Sequence, residues 1–327
     1  MDPVTLTCGV AGLGLLALGK HFFNGGSVSS ELLSHTNLSG KVIIVTGPSV
    51  AGIGYEAANL FYSKGATVIL ACRSLSSGEQ VQQEILNQQK TSKTGSVQVM
   101  KLDLADLASV KSFCVDFIEK YDRLDVLLNN AGIMMTPHGV TKQNVELQFG
   151  TNHLGHFLLT KLLIDLIKKS NGRVISVSSR AGEHGFCSFD LNTLNNECKE
   201  VKTERLYGRS KFSNMVFTRK LEREFRSDPN TTATAYSLHP GVVRTRLWRE
   251  LNPLYFLVSY PFWWYGTKSA WQGSQTSIYL SIAPTSELQG GHYYADCKLD
   301  KDNQFAVDEE LQDRLWASSL ELCKNYL

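Results

Sequence analysis

Neither sign of charge is in excess in this chain: 33 basic residues stand against 31 acidic ones, a net charge of +2. No lysine- or arginine-rich block stands out, so the electrostatic footprint of a nucleic-acid partner is missing. Cysteine is sparse and unpatterned, with seven residues at 8, 72, 114, 187, 198, 297 and 323 and no C-x-x-C pair. An odd, dispersed set excludes a disulfide framework and a zinc ribbon and reads as reduced thiols used for packing, Cys72 among them. Internal repeats and low-complexity tracts are absent. Nor does the N-terminus hold the ~20 apolar residues that cross a bilayer straight. Its charge-free stretch "VTLTCGVAGLGLLAL" spans only residues 4–18, and no basic segment precedes it as in a signal peptide. That stretch is expected to be a hydrophobic membrane anchor. Residues 1–39 then form an anchor plus a polar linker, and 40–327 a single domain. A composition 43% hydrophobic and 20% charged supports a full core there.

After residue 40, apolar runs alternate with helix-length segments. The runs are "KVIIVTG", "ATVILACR", "VQVMKLDL", "LDVLLNNAG", "GRVISVSS", "TATAYSLHPG" and "GGHYYADC". Several are near-continuously apolar, as strands covered on both faces should be. The alternation predicts an α/β fold: a Rossmann-like doubly wound parallel sheet of about seven strands with helices on both faces. Helices are expected over Gly54–Lys64 and Ala105–Tyr121, the second with Asp106 near its cap. Polar or glycine residues close successive runs: Gly47, Arg73, Asp103, Asn130, Ser179 and Pro240–Gly241. Ligands of such sheets bind at the carboxyl ends of the strands, so one crevice is expected to collect them.

The first of these ends, "TGPSVAGIGYE", has the strand–glycine–helix order that cradles a dinucleotide. Gly47 suits the tight exit from the strand, Gly52 the close approach to phosphate, and Gly54 the packing of helix on strand. The helix opening after Gly52-Ile53-Gly54 offers its positive end to a pyrophosphate. One residue more than usual separates Gly47 from Gly52. It lies in Pro48–Ala51, on the adenosine side, where Ser49 can offer a hydroxyl to a 2′-phosphate. The end of the second run carries "ACRS" in place of the acid that receives a ribose 2′-hydroxyl. Arg73 can pair with a 2′-phosphate, so NADP(H) is favoured over NAD(H).

"YGRSK" supplies chemistry. On a helix, Tyr207 and Lys211 share a face. A nearby ammonium favours the phenolate and lowers a pKa that is ordinarily about 10, which suits a general acid/base for an alcohol–carbonyl couple. Ser179 of "VSSRAG" is the expected hydroxyl to hold the carbonyl oxygen, with Ser178 its neighbour and rival. His153 and His156 flank a glycine but have no third ligand nearby. They read as packing residues, and no metal site is expected.

With these residues in place, the chain over about 40–300 resembles the short-chain dehydrogenase/reductase superfamily, and within it the retinol dehydrogenase and WW-domain oxidoreductase group. The matching motifs are "NNAG" at 129–132, "NHLGHF" at 152–157, "VSS" at 177–179, "YGRSK" at 207–211 and "HPGVVRT" at 239–245, with "GGHYYADC" and "LQDRLW" in the tail. The resemblance implies Tyr207 as proton donor and acceptor, Lys211 on the nicotinamide ribose, Ser179 on the substrate oxygen and Asn152 in a proton relay. It implies Asp103, Leu104, Asn130, Ala131 and Gly132 along the adenosine side of the cofactor, with Gly47, Ser49, Gly52, Ile53, Gly54 and Arg73 in the loop region. Pro240, Gly241, Val243 and Thr245 would surround the nicotinamide. In this superfamily the segment after the "PG" motif covers the substrate; here it falls around 246–270 and carries seven aromatic rings between Tyr255 and Tyr265. Such rings suit an apolar substrate and a membrane interface, and a homodimer face is their alternative use.

The expected function is that of an NADP(H)-dependent oxidoreductase interconverting a lipophilic alcohol and its aldehyde or ketone. Retinoids come first, with steroids, polyprenols and fatty aldehydes as alternatives. The expected location is the endoplasmic reticulum or lipid-droplet membrane, with the domain on the cytosolic side, where Lys20 flanks the anchor. A second class of reading is a catalytically weak NADPH-binding sensor or scaffold. The altered glycine loop favours it, and the complete Asn152, Ser179, Tyr207 and Lys211 set opposes it.

Overall fold

The computed structural model describes residues 20, 23–88, 95–183, 196–245 and 265–327. The hydrophobic stretch 4–18 and most of the aromatic segment lie outside the described residues. Among the described residues, no helix is long and apolar enough to cross a membrane, and no group of three metal-binding side chains occurs.

The order of elements is α1 (Ser30–His35), β1 (Val42–Thr46), α2 (Ile53–Ser63), β2 (Thr67–Cys72), α3 (Leu75–Gln88), β3 (Ser96–Lys101), α4 (Leu107–Lys120) and β4 (Val126–Asn129). Then come α5 (Leu147–Phe149), a π-helical turn (Gly150–Leu154), α6 (Gly155–Leu162), α7 (Ile164–Lys169), β5 (Arg173–Val177), α8 (Thr203–Arg226) and β6 (Thr234–His239). The chain closes with α9 (Ala270–Ile282), β7 (Tyr293–Ala295), β8 (Lys298–Leu299) and α10 (Glu309–Cys323).

The strands lie in the order β3-β2-β1-β4-β5-β6-β7-β8. The first seven are parallel, as the alternating pattern predicts; β8 is a short antiparallel addition joined to β7 by a two-residue turn. Asp296 and Cys297 in that turn have φ of 52° and 57°. Positive φ at both central residues is what a tight hairpin needs to follow the sheet's twist.

Every residue of β1 is buried, and its side chains alternate between two cores. Val42 and Ile44 join the core beneath α4, α6, α8 and α10; Ile43 and Val45 join the one beneath α2, α3 and α9. Strand period two, applied to a strand covered on both faces, produces this split. Asp106 caps α4 by accepting from the Ala108 amide, and a capping box of Ser269 and Gln272 opens α9. The direction of chain progression across the sheet reverses between β1 and β4. The crevice outside their carboxyl ends is the position where open α/β sheets bind ligands.

The polar stretch expected to be a linker is packed on the domain. Val28 is buried and its amide donates to Gln275 Oε1 at 3.0 Å; Leu32, Leu33 and Leu38 pack against the second core. Four aliphatic side chains spaced through a serine-rich segment were enough to dock it.

Candidate active site

Two adjoining cavities, of ≈ 280 and ≈ 360 Å³, run along the carboxyl ends of the strands and share Gly47, Ser49, Ala131 and Gly132. Gly52, Ile53, Gly54, Asn130, Tyr207, Lys211, Pro240 and Thr245 line the first. Arg73, Asp103 and Leu104 line the second. With Val177 and Ser178 after β5, the crevice brings together residues from six strand ends. Gly241 and Val243 sit in the Pro240–Thr245 loop. Asn152 is buried behind Ile133, and half-buried Ser179 adjoins the lining Tyr207; at the end of β5 it is Ser178 that lines the first cavity.

The extra residue of the glycine loop has a definite structure. The Gly52 amide donates to the Ser49 carbonyl at 2.8 Å, closing a turn over Ser49–Gly52 in which Ala51 has φ 58°. The added length is folded into a local turn, and Gly52-Ile53-Gly54 still opens α2. Gly47 also has φ 58°, and a Cβ there would come within 2.6 Å of Ala131 Cβ. At Gly54 a Cβ would come within 2.5 Å of the Asn130 side-chain amide, so α2 touches the end of β4 through this glycine. Gly52, the N-cap of α2, has no side-chain bond to the helix, in contrast to Asp106 on α4. The first turn of α2 therefore has no side-chain cap where it opens beside the crevice.

A buried relay fixes the other side of that contact. His156 Nδ1 lies 3.0 Å from the Asn152 carbonyl and Nε2 lies 2.9 Å from Thr46 Oγ1. Burial pushes the imidazole down to about 4, so it is neutral at pH 7. Its one proton must then sit on Nδ1 to serve the carbonyl, and Nε2 accepts from the Thr46 hydroxyl. Thr46 Oγ1 in turn accepts the amides of Asn130 and Ala131, at 2.9 and 3.0 Å. Asn130 Nδ2 donates to the Thr46 carbonyl at 2.8 Å. His156, expected to be a packing residue, instead links Asn152 to Thr46, a residue that the sequence pattern does not single out. A hydroxyl at the last position of a buried strand, beside a glycine, is the signal that would have found it. His153 does pack, with Nε2 3.1 Å from Ser319 Oγ.

Asn152 lies in the π-helical turn and is fully buried. Its Oδ1 accepts from the Ile133 amide at 2.8 Å, and its Nδ2 donates to the Ile133 carbonyl and to Ser210 Oγ, each at 2.9 Å. Single π-turns concentrate at functional sites because they redirect one side chain out of helical register. Here that side chain ties the segment after β4 to α8.

On α8, Lys211 Nζ is 5.8 Å from the centre of the Tyr207 ring and donates to the Val177 carbonyl at 2.9 Å. Burial pushes the Tyr207 phenol up to about 12, with its hydrogen bond to Ser179 pulling the other way. Burial also lowers Lys211 to about 8. The sequence suggested that the cation would depress the phenol; in the folded protein desolvation wins. The two serines separate cleanly. Ser178 Oγ donates to the Lys211 carbonyl at 2.6 Å and is consumed in holding α8 to β5. Ser179 is the one bonded to the phenol.

In the second cavity Arg73 is exposed, beside Ser74 and Ser77, at the start of α3. Neither serine was singled out in the sequence. Asp103, in the same cavity, has Oδ1 engaged by the Ala105 amide at 3.0 Å; the cap of α4 is Asp106. Cys72 is buried beneath and raised to about 12, which makes it a packing thiol.

A family profile described as short chain dehydrogenase matches residues 41–191. Human retinol dehydrogenase 14 is 38% identical over 85% of this chain and 85% of its own length. Mouse retinol dehydrogenase 12 is 38% identical over 93% of this chain and 91% of its own. Among solved structures, an uncharacterised protein from Mycobacterium paratuberculosis superimposes with a TM-score of 0.70 at 29% identity, covering 89% of this chain and 97% of its own.

Proposed function

This chain belongs to the short-chain dehydrogenase family, and from that premise we propose that it is an NADP(H)-dependent oxidoreductase interconverting a lipophilic alcohol and its aldehyde or ketone. The observation that carries the reading is the Tyr207 phenol. It is buried on the crevice wall, hydrogen-bonded to Ser179, with the Lys211 ammonium one helical turn away.

The crevice fits a dinucleotide. Gly47 provides the positive-φ exit from β1 and Gly54 the close contact with Asn130, leaving Gly52 for approach to phosphate, and the N-terminus of α2 lacks a capping side chain. Arg73, Ser49, Ser74 and Ser77 supply one fixed cation and three hydroxyls in the cavity beyond β2, a donor set suited to a 2′-phosphate. Asn130, Ala131 and Gly132 would face the adenosine half, and Pro240 and Thr245 the nicotinamide half. The bound cofactor supplies or accepts a hydride.

This chain's residues handle the proton. Ser179 holds the substrate oxygen, and Tyr207 donates a proton to it. Lys211 places its charge beneath the phenol, and Asn152 keeps α8 in register with the strand ends through Ile133 and Ser210. A phenol held near 12 keeps its proton at neutral pH and can donate it to a carbonyl oxygen. The retinol dehydrogenases it resembles favour a retinoid-like substrate, and the sequence's aromatic segment suits an apolar one.

Arg73→Glu replaces attraction to the 2′-phosphate with repulsion. NADPH affinity is expected to fall by at least ~10-fold, the scale of one lost charge-assisted bond, while NADH affinity holds or rises. Titration of both cofactors tests this, and a wild type that already prefers NADH overturns the NADP assignment.

The pH profile is a second test. Tyr207 stays protonated throughout the working range, whereas Lys211 loses its proton as pH rises through about 8. The NADPH-dependent reduction rate is expected to be flat below that point and to fall above it. A rate that climbs from pH 7 to 9 would remove Lys211's charge from the mechanism.

A further inference from the structure

The residues ahead of β1 reach the far end of the crevice. Lys20 Nζ donates to the Thr267 carbonyl at 2.7 Å and the Tyr265 carbonyl at 3.1 Å, and the Phe23 and Tyr265 rings meet edge to face at 5.7 Å. Next, Gly25 (φ 71°) and Gly26 run directly over the β7–β8 turn. A Cβ on Gly25 would overlap the Asp296 carboxylate and come within 2.6 Å of Lys268 Nζ; one on Gly26 would overlap the Asp296 carbonyl. Val28 then anchors the segment in the second core.

Lys268 is the residue underneath. It is buried and ion-paired with Asp296. Its aliphatic stem presses on Gly241, where a Cβ would lie 2.7 Å from Lys268 Cδ and Cε. Its backbone forms a parallel bridge with Val243: the Lys268 amide donates to Val242 O at 2.8 Å and the Arg244 amide to Lys268 O at 3.0 Å. Lys268 thus holds the Pro240–Thr245 loop by main chain and side chain together. Gly241, at φ 89°, adopts a backbone shape that L-residues disfavour, so the loop depends on such support.

We propose that Lys20 and residues 23–28 form a strap that completes the nicotinamide half of the site. Seated on the Lys268–Asp296 pair, the strap holds Lys268 against Gly241 and so keeps the Pro240–Thr245 loop in its binding shape. Gly25, Gly26, Lys268 and Asp296 are positioning residues. This rests on the cofactor reading above.

The test uses the full-length protein and two ligands. 2′,5′-ADP occupies only the adenosine half, whereas NADPH needs both halves. Gly26→Val bars the strap from its seat. Asp296→Asn keeps a side chain that tolerates positive φ and removes the charge. Both variants are expected to bind NADPH roughly tenfold more weakly by calorimetry, about one charge-assisted contact, with 2′,5′-ADP affinity unchanged. Lys268→Arg, which keeps the cation, should retain more NADPH affinity than Lys268→Met. If Gly26→Val does not fold, Asp296→Asn decides alone. NADPH affinity equal to wild type, or equal loss for both ligands, overturns the strap. Wild-type protein that binds neither ligand overturns the cofactor reading instead.

Discussion

Replacing Tyr207 by phenylalanine is expected to lower turnover at least ~100-fold, the usual contribution of a positioned general acid, with NADPH affinity largely kept. The substitution removes one oxygen and leaves the ring. Lys211 keeps its bond to the Val177 carbonyl, and α8 stays tied to β5 through Ser178 and to the π-turn through Ser210. Nothing else in the crevice wall moves, so the loss should fall on kcat while the melting temperature holds. Ser179→Ala should act in the same direction, because it removes the partner of the phenol. Ser178→Ala should behave differently. It removes a buried hydrogen bond to the Lys211 carbonyl inside α8 and should cost stability as well as rate. Unchanged kcat in Tyr207→Phe would exclude the phenol from the chemistry.

The second large effect is expected at Gly54. Its Cα lies against the Asn130 side-chain amide, which Thr46 holds from the other side. Thr46 is itself fixed by His156 and by two backbone amides, so the amide cannot swing away. In Gly54→Val the whole of α2 has to move, carrying with it the helix end that faces the phosphates. Overpacking of this kind costs about 1–3 kcal/mol. Borne by the bound geometry, that cost lowers NADPH affinity by roughly 5- to 150-fold, and ADP affinity with it. Calorimetry on a variant with native circular dichroism tests this. Native affinity for both ligands would show that α2 does not approach the cofactor at this glycine.

Much of this arrangement could be read from the sequence. Apolar runs alternating with helix-length segments located the parallel sheet, since strands covered on both faces read as near-continuous apolar runs; strand order and register were not legible. Asp106 marked the start of α4 by its own capping chemistry. The strand-end residues of the crevice stood out because each closes an apolar run, and Tyr207 and Lys211 by their helical spacing. The relay from Asn152 through His156 to Thr46 did not stand out, since its members lie far apart in sequence and meet only when β1 and α6 pack. The choice between Ser178 and Ser179 also needed coordinates. Both follow the same strand, and only their partners, the Lys211 carbonyl and the Tyr207 phenol, tell them apart. The pKa of Tyr207 was misjudged in direction. A helical spacing reports the neighbouring cation but not the burial that outweighs it. The strap was hidden for a related reason. A glycine pair in a polar stretch looks like a flexible joint until the Asp296 turn is seen beneath it.

The most direct measurement of the central claim is cofactor turnover by the purified full-length protein. All-trans-retinal, long-chain aldehydes and steroid ketones would each be supplied with NADPH at pH 7, and oxidation of NADPH followed by absorbance. The expected result is NADPH oxidation matched by formation of the corresponding alcohol with at least one lipophilic carbonyl, abolished in Tyr207→Phe. Saturable NADPH binding with no turnover of any of them would contradict the enzyme and leave a nucleotide-binding protein in its place.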